Sequence, residues 1–289
     1  MHAGWNLLGK KAKPNLAFFL LANLAGCLFL LLPVSLFFTD LFEVLDKRTL
    51  WLACIAGLFL ALNYWALSRA YRSGHMSITY PIARSFPIII VTVIMLLAGF
   101  TELLNAAFLF GALMILMGSI ILPMKHFKDF KPSNYFNQAT WFALLAACGT
   151  AGYSIVDSKS ISGLDFLLTD RDDIIPMTLI YALVEALFAS AWMAFVLSYN
   201  NKTRSSVVIM FKSKFKSIVI TGIGIHMTYT LVLISMSMVE NVSYIVAFRQ
   251  VSIPIGVILS MYLLREPGSL PKYLGVITMF AGVVLVSIG

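Results

Sequence analysis

Apolar residues arrive in long blocks separated by short polar stretches, near 15–38, 49–71, 76–100, 105–124, 139–158, 174–199, 216–237, 241–264 and 271–288. A helix needs about 20 apolar residues to cross the hydrocarbon core of a bilayer, so each block predicts a membrane-spanning helix. The opening segment MHAGWNLLGK reads as the last half of a further helix, too short to cross alone. The expected fold is an all-α integral membrane bundle of about ten transmembrane helices, the first of them truncated. Composition agrees: 60% of the residues are hydrophobic, 12% are charged and the mean hydropathy is +0.90. Soluble globular chains lie near 45–50% apolar and about 25% charged.

The second half of the chain repeats the first. Gly57, Tyr64 and Ser77 are matched by Gly222, Tyr229 and Ser243, Arg84 by Arg249, and Gly111 and Gly118 by Gly275 and Gly282, at spacings of 164 to 166 residues. Five helices per copy is an odd number, so the second copy enters the membrane from the opposite side. Two inverted five-helix repeats follow, at 1–124 and 139–289 with a basic connection at 125–138. Inverted repeats with a solute site near midplane are a recurring architecture of secondary transporters.

The net charge of +8 is spread among the loops. Fifteen lysines and arginines, from Lys10 to Lys272, fall in one set of alternating connections, against only Lys47, Arg48, Lys159 and Arg171 in the other. That asymmetry predicts that the first set is cytoplasmic and both termini lie outside. It explains the basic character without nucleic acid, which is not an expected partner. Cys27, Cys54 and Cys148 lie singly in apolar blocks and read as small buried hydrophobes.

Polar residues inside the blocks are the informative ones. A guanidinium at the bilayer centre costs roughly 2.5 to more than 10 kcal/mol, so Arg84 and Arg249 are expected to face a protein interior or a watery cavity. Ser77, Tyr80, Arg84 and Pro87 share one helical face. Arg249 is followed by Ser252, Pro254 and Gly256, so each arginine has a helix breaker just beyond it. Interrupted helices at matching places point to a transport site; the structural alternative is snorkelling or a fixed ion pair.

Glu185 sits mid-block with Thr178, Tyr181 and Trp192 on one stripe. It is read either as the carrier of a coupling proton or as the fixed partner of Arg84 or Arg249. His226 shares a face with Gly222 and Tyr229 and is a second proton-coupling candidate. Asn63 and Tyr64 are placed as pocket-lining residues, and Asp157 as a charge at a helix end in the headgroup zone. The glycines at 111, 118, 275 and 282 make seven-residue small stripes suited to helix contact within or between protomers. No phosphate-binding loop, zinc-protease motif, nucleophile elbow or paired cysteines occur, so neither an enzyme nor a cofactor is expected.

Four stretches, HAGWNLLGK, GTAGYSIVDSKSI, YPIARSFPIII and VAFRQVSIPIGVILSMYLLREPGSLPKYLGVITMFAGVVLVSIG, resemble the drug/metabolite transporter superfamily in its ten-helix branch with two EamA-type repeats. The resemblance spans essentially the whole chain and rests on the order and duplication of loose motifs. It implies a basket in which blocks 49–71, 76–100, 216–237 and 241–264 surround a cavity. Asn63, Tyr64, Arg84, His226, Tyr229 and Arg249 would be cavity residues, with 105–124 and 271–288 in support. It also implies export or import of small metabolites, in many members by proton exchange.

The expected function is thus that of a permease of the plasma or bacterial inner membrane. It would move a small polar metabolite such as an amino acid or organic anion by alternating access. Arg84 and Arg249 would hold the anion, Asn63, Tyr64, Tyr80 and Tyr229 would shape the pocket, and Glu185 or His226 would couple protons. The partners are then a small solute, the bilayer and, through the glycine faces, a second copy of the chain. Two other classes fit parts of the pattern. One is a non-transporting scaffold or receptor subunit; the other is a lipid-modifying membrane enzyme using Glu185, His226 and Asp157.

Overall fold

The computed structural model describes residues 14–38, 41, 45–73, 76–99, 105–122, 124–129, 137–167, 173–199, 201–239, 242–263 and 268–288. The truncated first helix expected at the N-terminus lies outside them. Among the described residues the chain is helical and contains no strand. The helices are α1 Leu16–Phe37, α2 Lys47–Ser73, α3 Met76–Leu97, α4 Ala106–Ile121, α5 Gln138–Leu167, α6 Ile174–Ser198, α7 Asn201–Met236, α8 Val242–Phe248, α9 Ser252–Leu263 and α10 Leu270–Ile288.

Helix starts coincide with polar residues at the edges of the apolar blocks. Asn15 and Asn105 each accept a hydrogen bond from the backbone N–H three residues on, both at 2.9 Å. Asp46 accepts from Thr49 N–H at 2.7 Å and Asn137 from Thr140 N–H at 3.0 Å. Each cap satisfies one of the donors that a helix N-terminus leaves open.

Among the described residues, six helices hold spans long and apolar enough to cross a membrane: Leu16–Phe37, Lys47–Ser73, Gln138–Leu164, Ile174–Ser198, Arg204–Met236 and Leu270–Ile288. Shorter apolar helices run over Pro81–Leu97, Ala106–Ile121 and Val242–Ile255. Large apolar side chains such as Leu28, Leu32, Phe110, Phe195 and Ile277 stand exposed along them. In water such surfaces drive association; on spanning helices they meet lipid. The protein is a multi-pass membrane protein.

Three boundaries depart from the apolar blocks. Helix α5 continues nine residues past the expected end at 158, through a polar stretch that the hydropathy reading assigned to a loop. Helix α7 begins at Asn201 rather than near 216 and bends at Lys214, whose φ of −133° and ψ of 19° leave the helical region. The block at 241–264 is interrupted by a 3-10 turn, Arg249–Val251, between α8 and α9. Pro254 has no N–H to offer the Gln250 carbonyl and its ring crowds that oxygen, so an α-helix cannot pass smoothly through this point. The Arg249 carbonyl instead accepts from the backbone N–H and the hydroxyl of Ser252, the latter at 2.7 Å.

The chain forms two compact units, each drawing on both halves of the sequence. The first holds the described parts of Met1–Ser68 and Gly152–Glu240, and the second those of Arg69–Ala151 and Asn241–Gly289. In the first unit α1 packs on α6 and α7 around Phe18, Phe19, Ala22, Ala189 and Met193. Helix α2 comes close to α6 at Gly57, where a Cβ would stand 2.8 Å from Ala189 N and 3.0 Å from the Glu185 carbonyl. Helix α7 meets α1 likewise, Gly222 lying against the Ala22 carbonyl.

In the second unit the most extensive contact is between α4 and α10. A Cβ on Gly111 would lie 2.6 Å from the Gly282 carbonyl, and one on Gly282 2.6 Å from the Gly111 carbonyl. Gly118 and Gly275 repeat the arrangement at 2.7 and 2.9 Å. The small stripes are therefore used inside the chain, backbone against backbone. Ser85 of α3 joins this unit through a 2.7 Å hydrogen bond with Ser119 of α4, both buried.

Candidate functional site

The first unit contains a buried cluster of acids and tyrosines. Asp157 on α5 and Glu185 on α6 are completely inaccessible, at 0% exposure each. The Tyr181 hydroxyl, also on α6, donates to Asp157 Oδ1 at 2.8 Å. The Tyr229 hydroxyl on α7 donates to Asp157 Oδ2 and lies 3.5 Å from Glu185 Oε1. Tyr153, one turn before Asp157 on α5, sets its ring edge-on to Tyr229 with centroids 5.5 Å apart. Three helices thus bring two carboxylates and three phenols to one place inside membrane-crossing segments. Hydrogen bonds to carboxylates are among the stronger kinds, and intramembrane ionisable groups ordinarily mark function.

Asp157 corrects the sequence reading. It was expected in the headgroup zone because its apolar block ends at 158, but α5 runs on to Leu167 and holds Asp157 ten residues inside the helix. The polar residues that follow, SKSISGLD, extend the helix rather than ending it. A signal was present: Tyr153 and Asp157 are four residues apart, on one face with Gly149.

The polar stripe on α6 divides between two neighbours. Tyr181 and Glu185 serve the acid cluster, while Trp192 donates its indole N–H to the Cys54 carbonyl of α2 at 3.3 Å. Thr178 bonds back to the Ile174 carbonyl of its own helix. Asn23 on α1 donates to the Ala186 carbonyl at 2.7 Å and to Ser190 Oγ at 2.9 Å, tying α1 to α6 one residue beyond Glu185.

His226 has a different setting. Its Nδ1 lies 3.1 Å from the Gly222 carbonyl one turn earlier, and its ring occupies the space that a side chain at Gly26 of α1 would fill. The structure uses it to fit α7 against α1. Tyr64 is buried and stacked on Phe19 at 4.9 Å with rings 15° from parallel, and Asn63 beside it is half-buried. Both belong to the first unit, with Glu185, His226 and Tyr229.

Arg84 and Arg249 belong to the second unit and are half-buried, Arg84 within α3 and Arg249 on the 3-10 turn. Beside Arg84, the Ser85 hydroxyl bonds the Pro81 carbonyl at 2.7 Å. Beside Arg249, the buried Gln250 donates to the Val246 carbonyl at 2.9 Å. Helix α3 runs from Met76 to Leu97 through Pro81 and Pro87 without the break expected beyond Arg84, whereas Arg249 lies on the 3-10 turn. Tyr80 lies on α3, and its side chain lies outside those described.

No protein-family model matches this sequence, and no curated protein matches it. Among solved structures, 21 chains match. One, described only as the crystal structure of a protein, aligns over 98% of this chain and 93% of its own length with a TM-score of 0.71 at 16% identity. At that identity the likeness establishes a shared fold along almost the whole chain.

Proposed function

We propose that this protein is a secondary transporter of the drug/metabolite type, moving a small polar solute across the plasma or bacterial inner membrane by alternating access. The observation that carries the reading is the burial of Asp157 and Glu185, with their tyrosines, inside helices otherwise apolar enough to span lipid. Holding ionisable groups there is costly, and such groups ordinarily mark a functional path. The 3-10 turn at Arg249 supports it further, since interrupted spans are where transporter sites are built.

Two inverted five-helix repeats, ten helices in all, are part of the proposal. Supporting them, the Gly57 contact with the Glu185 carbonyl has a counterpart in the Gly222 contact with the Ala22 carbonyl. The partners are related by similar offsets, 222 − 57 = 165 and 185 − 22 = 163. The crossed contacts of Gly111 with Gly282 and Gly118 with Gly275 also map onto each other when the halves are exchanged. In this reading Arg84 and Arg249 hold an anionic group of the solute, and Asn63, Tyr64, Tyr80 and Tyr229 shape the path.

The test is a thermal-shift panel of amino acids, organic acids, phosphonates, sugars and organic cations on purified protein, followed by flux measurements on any hit. A ligand at 100 times its Kd adds about 2.7 kcal/mol to stability. An anionic hit abolished in Arg84→Ala and Arg249→Ala supports the assignment; flux unchanged in both well-folded variants removes it. The convergence of Asp157 and Glu185 on Tyr229 also suits a membrane enzyme acting on a lipid. Both acids, however, are sealed from any headgroup in this conformation, so turnover of a lipid would be needed to prefer that reading.

A further inference from the structure

We propose that Asp157, Tyr229 and Glu185 form one proton-exchange site, with Tyr229 as the link through which the two acids share a proton. The geometry carries the site; its role as the coupling site rests on the transporter reading above.

A phenol has one hydrogen to donate. Tyr229 gives it to Asp157, so the Glu185 oxygen 3.5 Å away meets the phenol's lone pairs. A proton added to Glu185 turns that second acceptor into a donor. The result is a continuous chain from Glu185 to Tyr229 to Asp157, with Tyr181 donating to the remaining oxygen of Asp157. Chains of hydrogen bonds of this sort reinforce one another, and two acids joined by one hydroxyl titrate as a pair.

The exchange is a balanced acid–base step. Hydronium gives its proton to the carboxylate, an O–H bond forms on Glu185, and water leaves; the reverse step discharges it. Asp157 and Glu185 are fully buried and Tyr229 is half-buried.

The other titratable side chains on the surrounding helices are few. Tyr153 on α5 faces Tyr229, and Tyr181 on α6 bonds Asp157. His226 on α7 bonds its own helix. Cys27 on α1, Tyr64, Tyr71 and Cys54 on α2, and the exposed Cys148 on α5 are further titratable groups among the described residues, and basic residues of these helices such as Lys159 and Lys216 are exposed. The sequence alone pairs Glu185 with an arginine or a proton, and groups it with Asp157 and His226 only in the lipid-enzyme alternative; in the structure Asp157 is the second acid on Tyr229.

The experiment is an infrared titration of the full chain in lipid nanodiscs between about pH 4 and about pH 9, following the carbonyl stretch of protonated carboxyl groups. The site predicts a titrating band that Glu185→Gln or Asp157→Asn removes and His226→Ala leaves in place. In Tyr229→Phe, which keeps the ring, the midpoint should move by about one to two pH units. Thermal unfolding of each variant separates loss of the band from loss of the fold. A band that never changes with pH, or one untouched by all three cluster variants, overturns the proposal. So does a cluster whose spectrum answers sodium at fixed pH and not protons, which would make it a monovalent-cation site. Solute stabilisation without a titrating band leaves the transporter standing and removes the proton site; a titrating band without any solute does the reverse.

Discussion

The α4–α10 seam and the acid cluster of α5, α6 and α7 are both buried, but by opposite means. The seam has no polar side chain at its close points: four glycines let carbonyls approach within 2.6 to 2.9 Å of where a Cβ would be. The cluster brings side chains together and joins them by hydrogen bonds, Tyr181 and Tyr229 donating to Asp157. Between helices in lipid, apolar surface gives little net attraction, so adhesion comes from close van der Waals contact or from hydrogen bonds. The seam uses the first and gains an arrangement with no alternative partner. The cluster uses the second, and hydroxyls and carboxyls can exchange donors without moving a helix. One region is suited to holding the fold, the other to changing state within it.

Breaking the seam should have the largest effect. Gly111→Val places branched carbon against the Gly282 carbonyl and the Val286 backbone, which cannot yield as a flexible side chain would. Destabilisation above about 3 kcal/mol is expected, at the upper end of overpacking effects, measured as a fall in thermal midpoint and in recovered folded protein. A variant as stable as the parent would mean that the helices can separate there at little cost.

Tyr181→Phe keeps the ring and removes one donor from Asp157. A loss of about 1–3 kcal/mol is expected for removing the donor from a buried acceptor, read from thermal unfolding in nanodiscs. The same change with no effect would place the cluster's cohesion elsewhere.

Gly26→Ala asks which kind of burial His226 belongs to. The new methyl collides with the imidazole, so a cost of about 1–2 kcal/mol is expected. Adding His226→Ala should recover much of it, because the two positions compete for one space. Additive costs would instead assign the histidine a bond that matters more than its volume.

The smallest effect is expected at the exposed start of α2. Hydrogen bonds from Thr49 hold the Asp46 carboxyl below its ordinary value of 3.8. A lowered carboxyl stabilises the folded form fully above the ordinary value and loses that contribution as pH falls through the folded one. Amide exchange at Leu50 and Trp51 should therefore quicken in acid relative to the rest of α2, and Asp46→Ala should abolish the difference. The effect bears on neither buried region, and that contrast is the control.

Much of the bundle was legible because lipid imposes one rule, a run of about 20 apolar residues, and the caps at Asn15, Asp46, Asn105 and Asn137 sit at the edges of those runs. Hydropathy reports what faces lipid, not where hydrogen bonding ends. For that reason α5 extended beyond its block and α7 began before its own. The same blind spot put Asp157 at a helix end, because polar residues follow it in sequence while its neighbours in space are Tyr181 and Tyr229. The break at Arg249 was legible because proline acts through local geometry. The pairing of Glu185 with Asp157 was not, because it depends on how α5, α6 and α7 turn towards one another.

The glycine seam also has a consequence for the order of events at the ribosome. Gly118 and Gly275 are 157 residues apart in the chain, and α10 is the last helix described. At roughly 5–20 residues per second, α4 waits on the order of 8–30 s after its own synthesis before its partner exists. During that interval its glycine groove is open to lipid or to whatever factor guides insertion. The first unit closes at residue 240, the second only when the final helix arrives. Premature termination near the C-terminus would therefore leave the first unit assembled and the second without its principal contact.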